Sequence, residues 1–399
     1  MHYVKDSISK QADNTITLPQ LAQMKVSVIY HQFPHYRAPV LRELSLNGRH
    51  EYEFHASKDE FDGIKPYKGE PGVFINELAV KRTDRGFRFK NYIRLATDSS
   101  VDVLLILGNP NIIATWALGI VGRATGKKVV FWAHGWLSEE RKAKSLIRNF
   151  YYSISHLLLV YGERSREMGI RQGYPESKIR TIYNSLDFAA SSSILQRIER
   201  DVSRAPGRAL FEDPDRPLII CTARLTQICR LDLLLDAGEL LGKRGLPVNI
   251  LLIGDGPARK SLEAQAARIG ASVHFFGACY DEEIVGRMIY DADACVSPGK
   301  IGLTAIHSLT YGTPAFTHGD FSNQMPEFEA IEPGRTGDFF ERGSSESLAD
   351  CLEAWMEQKP DRAEVRNRCR DVISRRWNPS VQRTLIEDAL DEISKERRM

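Results

Sequence analysis

A chain of 399 residues, 42% hydrophobic and 27% charged, is not a disordered or fibrous protein. It is too long for one core, so two domains of ordinary size are expected. The net charge of +2 hides an asymmetry: residues 1–200 carry 29 Lys/Arg against 20 Asp/Glu, and the remainder 25 against 32.

In chain order, Met1 to Met24 is polar, without the long apolar stretch of a signal peptide. Short apolar strands then alternate with helical segments, which predicts a doubly wound parallel sheet. Strands are expected at Val26–Tyr30, Tyr52–His55, Val101–Leu107, Lys128–Trp132, Leu157–Tyr161 and Ile179–Tyr183. Helices between them include Ala38–Leu46, Ile112–Thr125, Leu146–Ser155 and Glu163–Gln172. No apolar run reaches the roughly 18 residues of a membrane-spanning helix. Much of the basic excess lies in Lys81 to Lys90, with Arg94 behind it, and in Arg141-Lys142-Ala143-Lys144 with Arg148. The plain reading is a solvated helix face; the sharper one is a surface that meets anionic lipid or a pyrophosphate-bearing acceptor. The aromatics lack an RNA-binding arrangement, so nucleic acid is not an expected partner.

After Ser185 the pattern changes. Ser191 to Leu210 reads as a polar or basic helical stretch without a strong apolar stripe, and Asp213-Pro214-Asp215-Arg216-Pro217 reads as a linker. A second alternation follows: strands Leu218–Thr222, Val248–Gly254, Val273–Gly277, Ala294–Val296 and Pro314–Thr317, with helices Leu231–Arg244, Ala258–Ile269, Asp281–Asp291 and Glu346–Gln358. The expected division is an N-terminal domain 1–205, a linker 206–217, a C-terminal domain 218–376, and a helical tail 377–399 that packs back on the N-terminal domain. All six cysteines lie in the second half without a CxxC pair, as reduced core cysteines of a cytosolic protein would.

Chemistry concentrates in Ser297-Pro298-Gly299-Lys300-Ile301-Gly302-Leu303, a glycine-rich turn from an apolar strand into a helix that ends before Gly312-Thr313-Pro314. Such a turn presents backbone N–H groups and a positive helix end to an anion, which suits a phosphate or diphosphate. Asp291-Ala292-Asp293 precedes a strand rather than ending one, so it does not read as a metal motif; no metal or cofactor is expected. Glu327 and Glu329 read as part of a surface turn.

Over about 90 residues the order Arg224-Leu225, Leu233-Leu234-Leu235-Asp236-Ala237, Ile253-Gly254-Asp255-Gly256-Pro257, Val273-His274-Phe275-Phe276-Gly277, Ser297-Pro298, Gly302-Leu303 and Gly312-Thr313-Pro314 resembles the donor-binding domain of GT-B glycosyltransferases, specifically the large retaining family 4. In the first half, His31 to Pro39 follows the first strand where similar enzymes place a loop entering the cleft. His134 ends a strand where the family often has a histidine beside the donor sugar, and Asn184-Ser185-Leu186-Asp187 resembles the turn that closes the first domain.

The resemblance implies an α/β protein of the GT-B fold, with two Rossmann-like domains facing across a cleft. It implies metal-independent transfer of a hexosyl or deoxyhexosyl unit, with retention, from a nucleotide-sugar donor to a saccharide or lipid-linked saccharide acceptor, as in bacterial surface polysaccharide synthesis. Arg224 and His134 would serve the reaction. Gly254, Gly256, Arg230, Gly299, Lys300, Gly302, Leu303 and His307 would bind the donor, and His35 and Arg37 would line the acceptor side. The protein would be cytoplasmic, with peripheral contact to the inner membrane face following from the sharper reading of its charge. Three positions depart from the family pattern. Its phosphate-binding lysine is Cys229 here, followed by Arg230, and its paired glutamates fall at Gly299 and His307. These departures leave a second reading open, a catalytically silent GT-B module, and a third, a nucleotide-sugar epimerase of the same fold.

Overall fold

The computed structural model describes residues 23–83, 86–201, 205–359 and 361–395. The polar stretch 1–22, Asp84 and Arg85 of the basic run, residues 202–204 of the expected helical stretch and the last four residues of the tail lie outside these ranges.

The first half runs β1 (Lys25–Gln32), α1 (Ala38–Asn47), β2 (Glu51–Ser57), β3 (Ile75–Glu77), β4 (Val80–Thr83), β5 (Gly86–Phe89), α2 (Ile93–Thr97), β6 (Val103–Leu107), α3 (Ile113–Ala124), β7 (Lys128–Ala133), α4 (Lys142–Ser153), β8 (Leu157–Val160), α5 (Glu163–Arg171) and β9 (Ile179–Thr181). Seven parallel strands stand in the order β3-β2-β1-β6-β7-β8-β9. Continuous apolar runs such as Val103-Leu104-Leu105-Ile106 are buried on both faces, as parallel strands covered by helices require. The basic run Lys81 to Lys90 hid an antiparallel hairpin: β4 and β5 pair Val80 with Phe89 and bury both, while Lys81, Arg82 and Arg88 are exposed.

The second half follows as α6 (Phe188–Arg200), β10 (Leu218–Thr222), α7 (Leu231–Lys243), β11 (Asn249–Ile253), α8 (Arg259–Ile269), β12 (Val273–Gly277), α9 (Glu282–Asp291), β13 (Ala294–Ser297), α10 (Leu303–Thr310), β14 (Ala315–His318), β15 (Gly337–Phe340), α11 (Ser345–Glu357), α12 (Arg362–Arg376) and α13 (Pro379–Lys395). Six parallel strands stand in the order β12-β11-β10-β13-β14-β15. In both sheets the strand order reverses beside the first strand, at β1/β6 and at β10/β13. Crevices open at the carboxyl ends of strands at such points.

The stretch after Ser185 departs from its expected character. In α6, Ser191, Ile194, Leu195 and Ile198 are buried at helical spacing, and the last three share a core with Leu218, Ile220, Met288 and Ile289 of the second sheet and α9. Serines and arginines on the other face dilute this stripe in a composition reading. At the far end, α13 lays Ile386, Ala389, Leu390 and Ile393 into the core of the first sheet, and its buried Glu387 accepts from the Arg49 N–H and pairs with Arg383. The chain therefore crosses between the domains twice. The crossings pack side by side: Trp377 lies 5.0 Å from the Tyr183 ring, and Gln382 donates to Tyr183 O at 2.6 Å and accepts from the Ser185 hydroxyl at 2.7 Å.

Candidate functional site

The second domain builds its side of the crevice from the segments after β10, β11 and β13. Gly254, at φ +147°, and Gly256 allow the Ala223–Leu225 backbone to lie directly on the β11–α8 turn; a Cβ at either would meet Ala223 O or Leu225 O. The two segments are stitched by Ala223 N–H to Ile253 O and Leu225 N–H to Asp255 O, both 3.1 Å. These glycines therefore face backbone, and what they position is Arg224. Its side chain is exposed, makes no ion pair among the described residues, and reaches across so that Nη1 lies 3.8 Å from where a Cβ on Gly63 of the first domain would stand.

Beside Arg224 is the 297–303 turn. Gln324, buried on the next loop, holds it by accepting from Ile301 N–H at 2.8 Å while donating to His318 O and to Thr317 Oγ1. Thr317 in turn donates to Ser297 O at 2.8 Å. The Thr304 hydroxyl donates to Thr222 O at 3.2 Å, which fixes the α10 start against the end of β10. The N–H groups of Gly302, Leu303 and Thr304 have no partner among the described residues, so they form the positive end of an eight-residue helix. Lys300 is exposed next to them, and Leu303 is half-buried against the core.

Three expected donor contacts are placed differently. Gly299 donates its N–H to Cys229 O, and a Cβ there would stand 2.9 Å from the Cys229 backbone, so the turn 227–229 covers it. Arg230 has a left-handed backbone (φ +49°) and its guanidinium is bound to Asp232 at 2.9 Å. His307 points to α9, where Nε2 meets Glu282 Oε1 at 2.9 Å. Glu282 also accepts from Tyr311 at 2.7 Å. Burial opposes its charge, yet the hydrogen bonds from His307 and Tyr311 hold its pKa below the ordinary value. Asp291 and Asp293 lie at the other end of the sheet, bound to Gly207 N–H and to Arg208 and Arg362.

Facing this across the crevice is the first domain's sheet edge. His35 is exposed in the turn after β1. Arg37 is not on a solvent loop. It is buried with its guanidinium 4.9 Å from the Trp132 ring and 5.0 Å from that of Tyr161, and Nη2 donates to Tyr161 OH. His134 directly follows β7, is partly open to solvent and stands 5.0 Å from the Tyr161 ring. Surrounding protein and the nearby charge of Arg37 depress its pKa to about 4, so the imidazole is neutral at pH 7.

Glu327 and Glu329 do not form a surface turn; they are wedged between the domains. Glu327 is buried and accepts from Asn184 Nδ2 at 2.6 Å, with burial raising its pKa, while Glu329 binds the start of α5. The contacts of Glu327 and Glu329 come from chain segments far apart in sequence. Only the Asn184 turn carried a sequence signal.

Residues 207–372 match the family model for group 1 glycosyl transferases. Among curated proteins, a GDP-mannose-dependent alpha-(1-6)-phosphatidylinositol dimannoside mannosyltransferase of Mycobacterium tuberculosis is 32% identical over 27% of this chain and 29% of its own length. A glycogen synthase of Jannaschia is 28% identical over 51% of this chain and 43% of its length. The chain thus spans less than half the length of these relatives. Among solved structures, Anabaena HepE in complex with UDP has a TM-score of 0.69 at 15% identity, covering 93% of this chain and 100% of that one. The lipopolysaccharide outer core galactosyltransferase WaaB, in its apo form, has 0.66 at 14% identity, covering 93% and 100%. The chain therefore has the GT-B fold, and its second domain matches the group 1 glycosyl transferases.

Proposed function

We propose that the protein is a glycosyltransferase that takes a sugar from a nucleotide-sugar donor held by the second domain. The observation that carries this reading is the placement of the Gly302–Thr304 amides beside Arg224 at the crevice of the second sheet, the amides without a partner and Arg224 without an ion pair among the described residues. Transfer leaves negative charge on the departing diphosphate, and fixed N–H dipoles with a guanidinium fork are suited to receive it. Lys300 adds a point charge. Neutral His134 offers the donor sugar a hydrogen bond without competing for the diphosphate. Retention at the anomeric carbon rests on the family 4 motif order, and metal independence on the cationic donor set. The first domain takes a saccharide or lipid-linked saccharide, in keeping with the mannosyltransferase and galactosyltransferase among the similar proteins and with a role in surface polysaccharide synthesis.

Thermal-shift titration with nucleoside diphosphates and their sugars tests the donor site, on wild type and Arg224→Ala. Loss of Arg224 should weaken binding about 10- to 100-fold, as for a hydrogen bond to a charged group. Failure of every nucleotide to stabilise wild type overturns the assignment. Inversion at the anomeric carbon, read from product NMR, overturns retention.

The covered Gly299, the Cys229 side chain and the engagement of His307 by Glu282 favour one second reading, a donor-binding module without turnover. Nucleotide binding with no transfer to any of a broad acceptor panel would select it.

A further inference from the structure

Helices α3 and α4 each bury one apolar face and expose another. On α4, Ala143, Leu146, Ile147 and Phe150 follow helical spacing and are exposed, Leu146 and Phe150 by 69% and 66%. On α3, Ile113 and Ile120 are exposed by 80% and 55% on either side of a half-buried Trp116. The stripes join where the Trp116 and Phe150 rings stand 6.2 Å apart. Two adjacent apolar stripes turned to solvent are not what a surface helix pair needs for its own core, and such patches mark interaction sites.

The charge around the patch names the partner. Residues 103–162 contain seven Lys/Arg, of which Lys127 is buried on backbone carbonyls, and only two acids, Glu139 and Glu140, with Glu140 already bound to Arg148 and Lys144. Arg141, Lys142 and Lys144 stand exposed at the start of α4, and Arg123 at the end of α3. Apolar side chains at a helix face with cations along its edge match an anionic bilayer surface. No helix among the described residues is long and apolar enough to cross a membrane, so the contact would be interfacial. The patch also begins at the crevice: α4 follows the His134 loop directly, and Arg148 Nη1 donates to Gly135 O at 3.2 Å.

We propose that this α3–α4 face seats the protein on an anionic lipid surface, with the crevice mouth toward the headgroups. The orientation toward a lipid-linked acceptor rests on the proposed transferase reading; the docking itself does not.

Flotation of the full chain tests it, with vesicles of phosphatidylcholine alone and of equimolar phosphatidylcholine and phosphatidylglycerol. Wild type should float with the anionic vesicles only, and less at high salt. Leu146→Ser/Ile147→Ser/Phe150→Ser should lose more than about tenfold in partition. Removing the exposed cations Arg141 and Lys142 should cost about fivefold each. All replaced side chains are exposed, so circular dichroism and the nucleotide thermal shift should not change. That second readout separates failure of docking from failure of the donor site. Absence of anionic-vesicle binding by wild type overturns the proposal, as does equal binding by the triple-serine variant. Self-association in light scattering that the same variant abolishes, without vesicle binding, would assign the face to a second copy instead.

Discussion

The Glu329 carboxylate, carried by the second domain, accepts the backbone N–H of Glu163 at 2.8 Å and so caps the first turn of α5 in the first domain. It accepts Arg164 N–H as well, at 3.0 Å, and the helix has no capping side chain of its own. Gly162 leaves the room: a Cβ there would meet the carboxylate oxygens. Both Glu329→Ala and Gly162→Ala should therefore loosen the same contact between domains, each at about 1–2 kcal/mol by the usual worth of an N-cap. Urea unfolding of both variants and of the double mutant checks this. Fully additive losses would mean that the two residues do not act through one contact.

The same carboxyl predicts a pH dependence. Burial, offset by the two amide bonds and reinforced by the charges of Glu163 and Glu167, raises its pKa to about 7. A folded-state pKa above the unfolded one means the folded protein holds the extra proton between them. This contribution to stability is complete below the ordinary glutamate value near 4.5 and is lost as pH rises through about 7. Wild type should lose stability relative to Glu329→Gln over that window and run parallel to it above. A constant difference from pH 5 to about 8 in denaturant midpoints would contradict the raised pKa.

With His134 held to a pKa of about 4, its protonation should not appear in the pH profile of turnover above about pH 5. His134→Ala should lower kcat by about 100-fold or more if the ring serves the reacting sugar, with a smaller effect on donor KM. A profile limb near the ordinary histidine pKa, absent in His134→Ala, would refute the depressed value.

Carboxylates placed at 299 and 307, where the resembled family 4 pattern carries them, should not create a new donor contact. At position 299 any side chain meets the Ile228–Cys229 backbone, so Gly299→Glu and Gly299→Ala should both displace that turn and cost about 1–3 kcal/mol. A stable Gly299→Glu protein with tighter donor binding would show that the turn yields freely. His307→Glu would set a carboxylate against Glu282, which now bonds the imidazole at 2.9 Å. That variant should lose thermal stability, and Glu282→Gln added to it should recover most of the loss. No recovery would place the cost elsewhere.

Much of the architecture was legible in the chain. Apolar runs of four or five residues that alternate with helical periods demand parallel strands under helices, and the positions of Arg224 and the 297–303 turn after such strands put them at a sheet's carboxyl edge. The hairpin β4–β5 was not legible, because its charged residues alternate with only two buried anchors, Val80 and Phe89. The α6 stripe was masked by its polar neighbours. Tertiary structure alone decided where the site's residues are placed: Arg37 in a box of aromatic rings, Gly299 under the 227–229 turn, His307 against Glu282, and Glu329 on α5 of the opposite domain. Each of these depends on a contact between segments distant in sequence. Local pattern records whether a residue is buried on its own helix or strand; which partner it meets there is settled only when the two sheets and the crossings between them pack together.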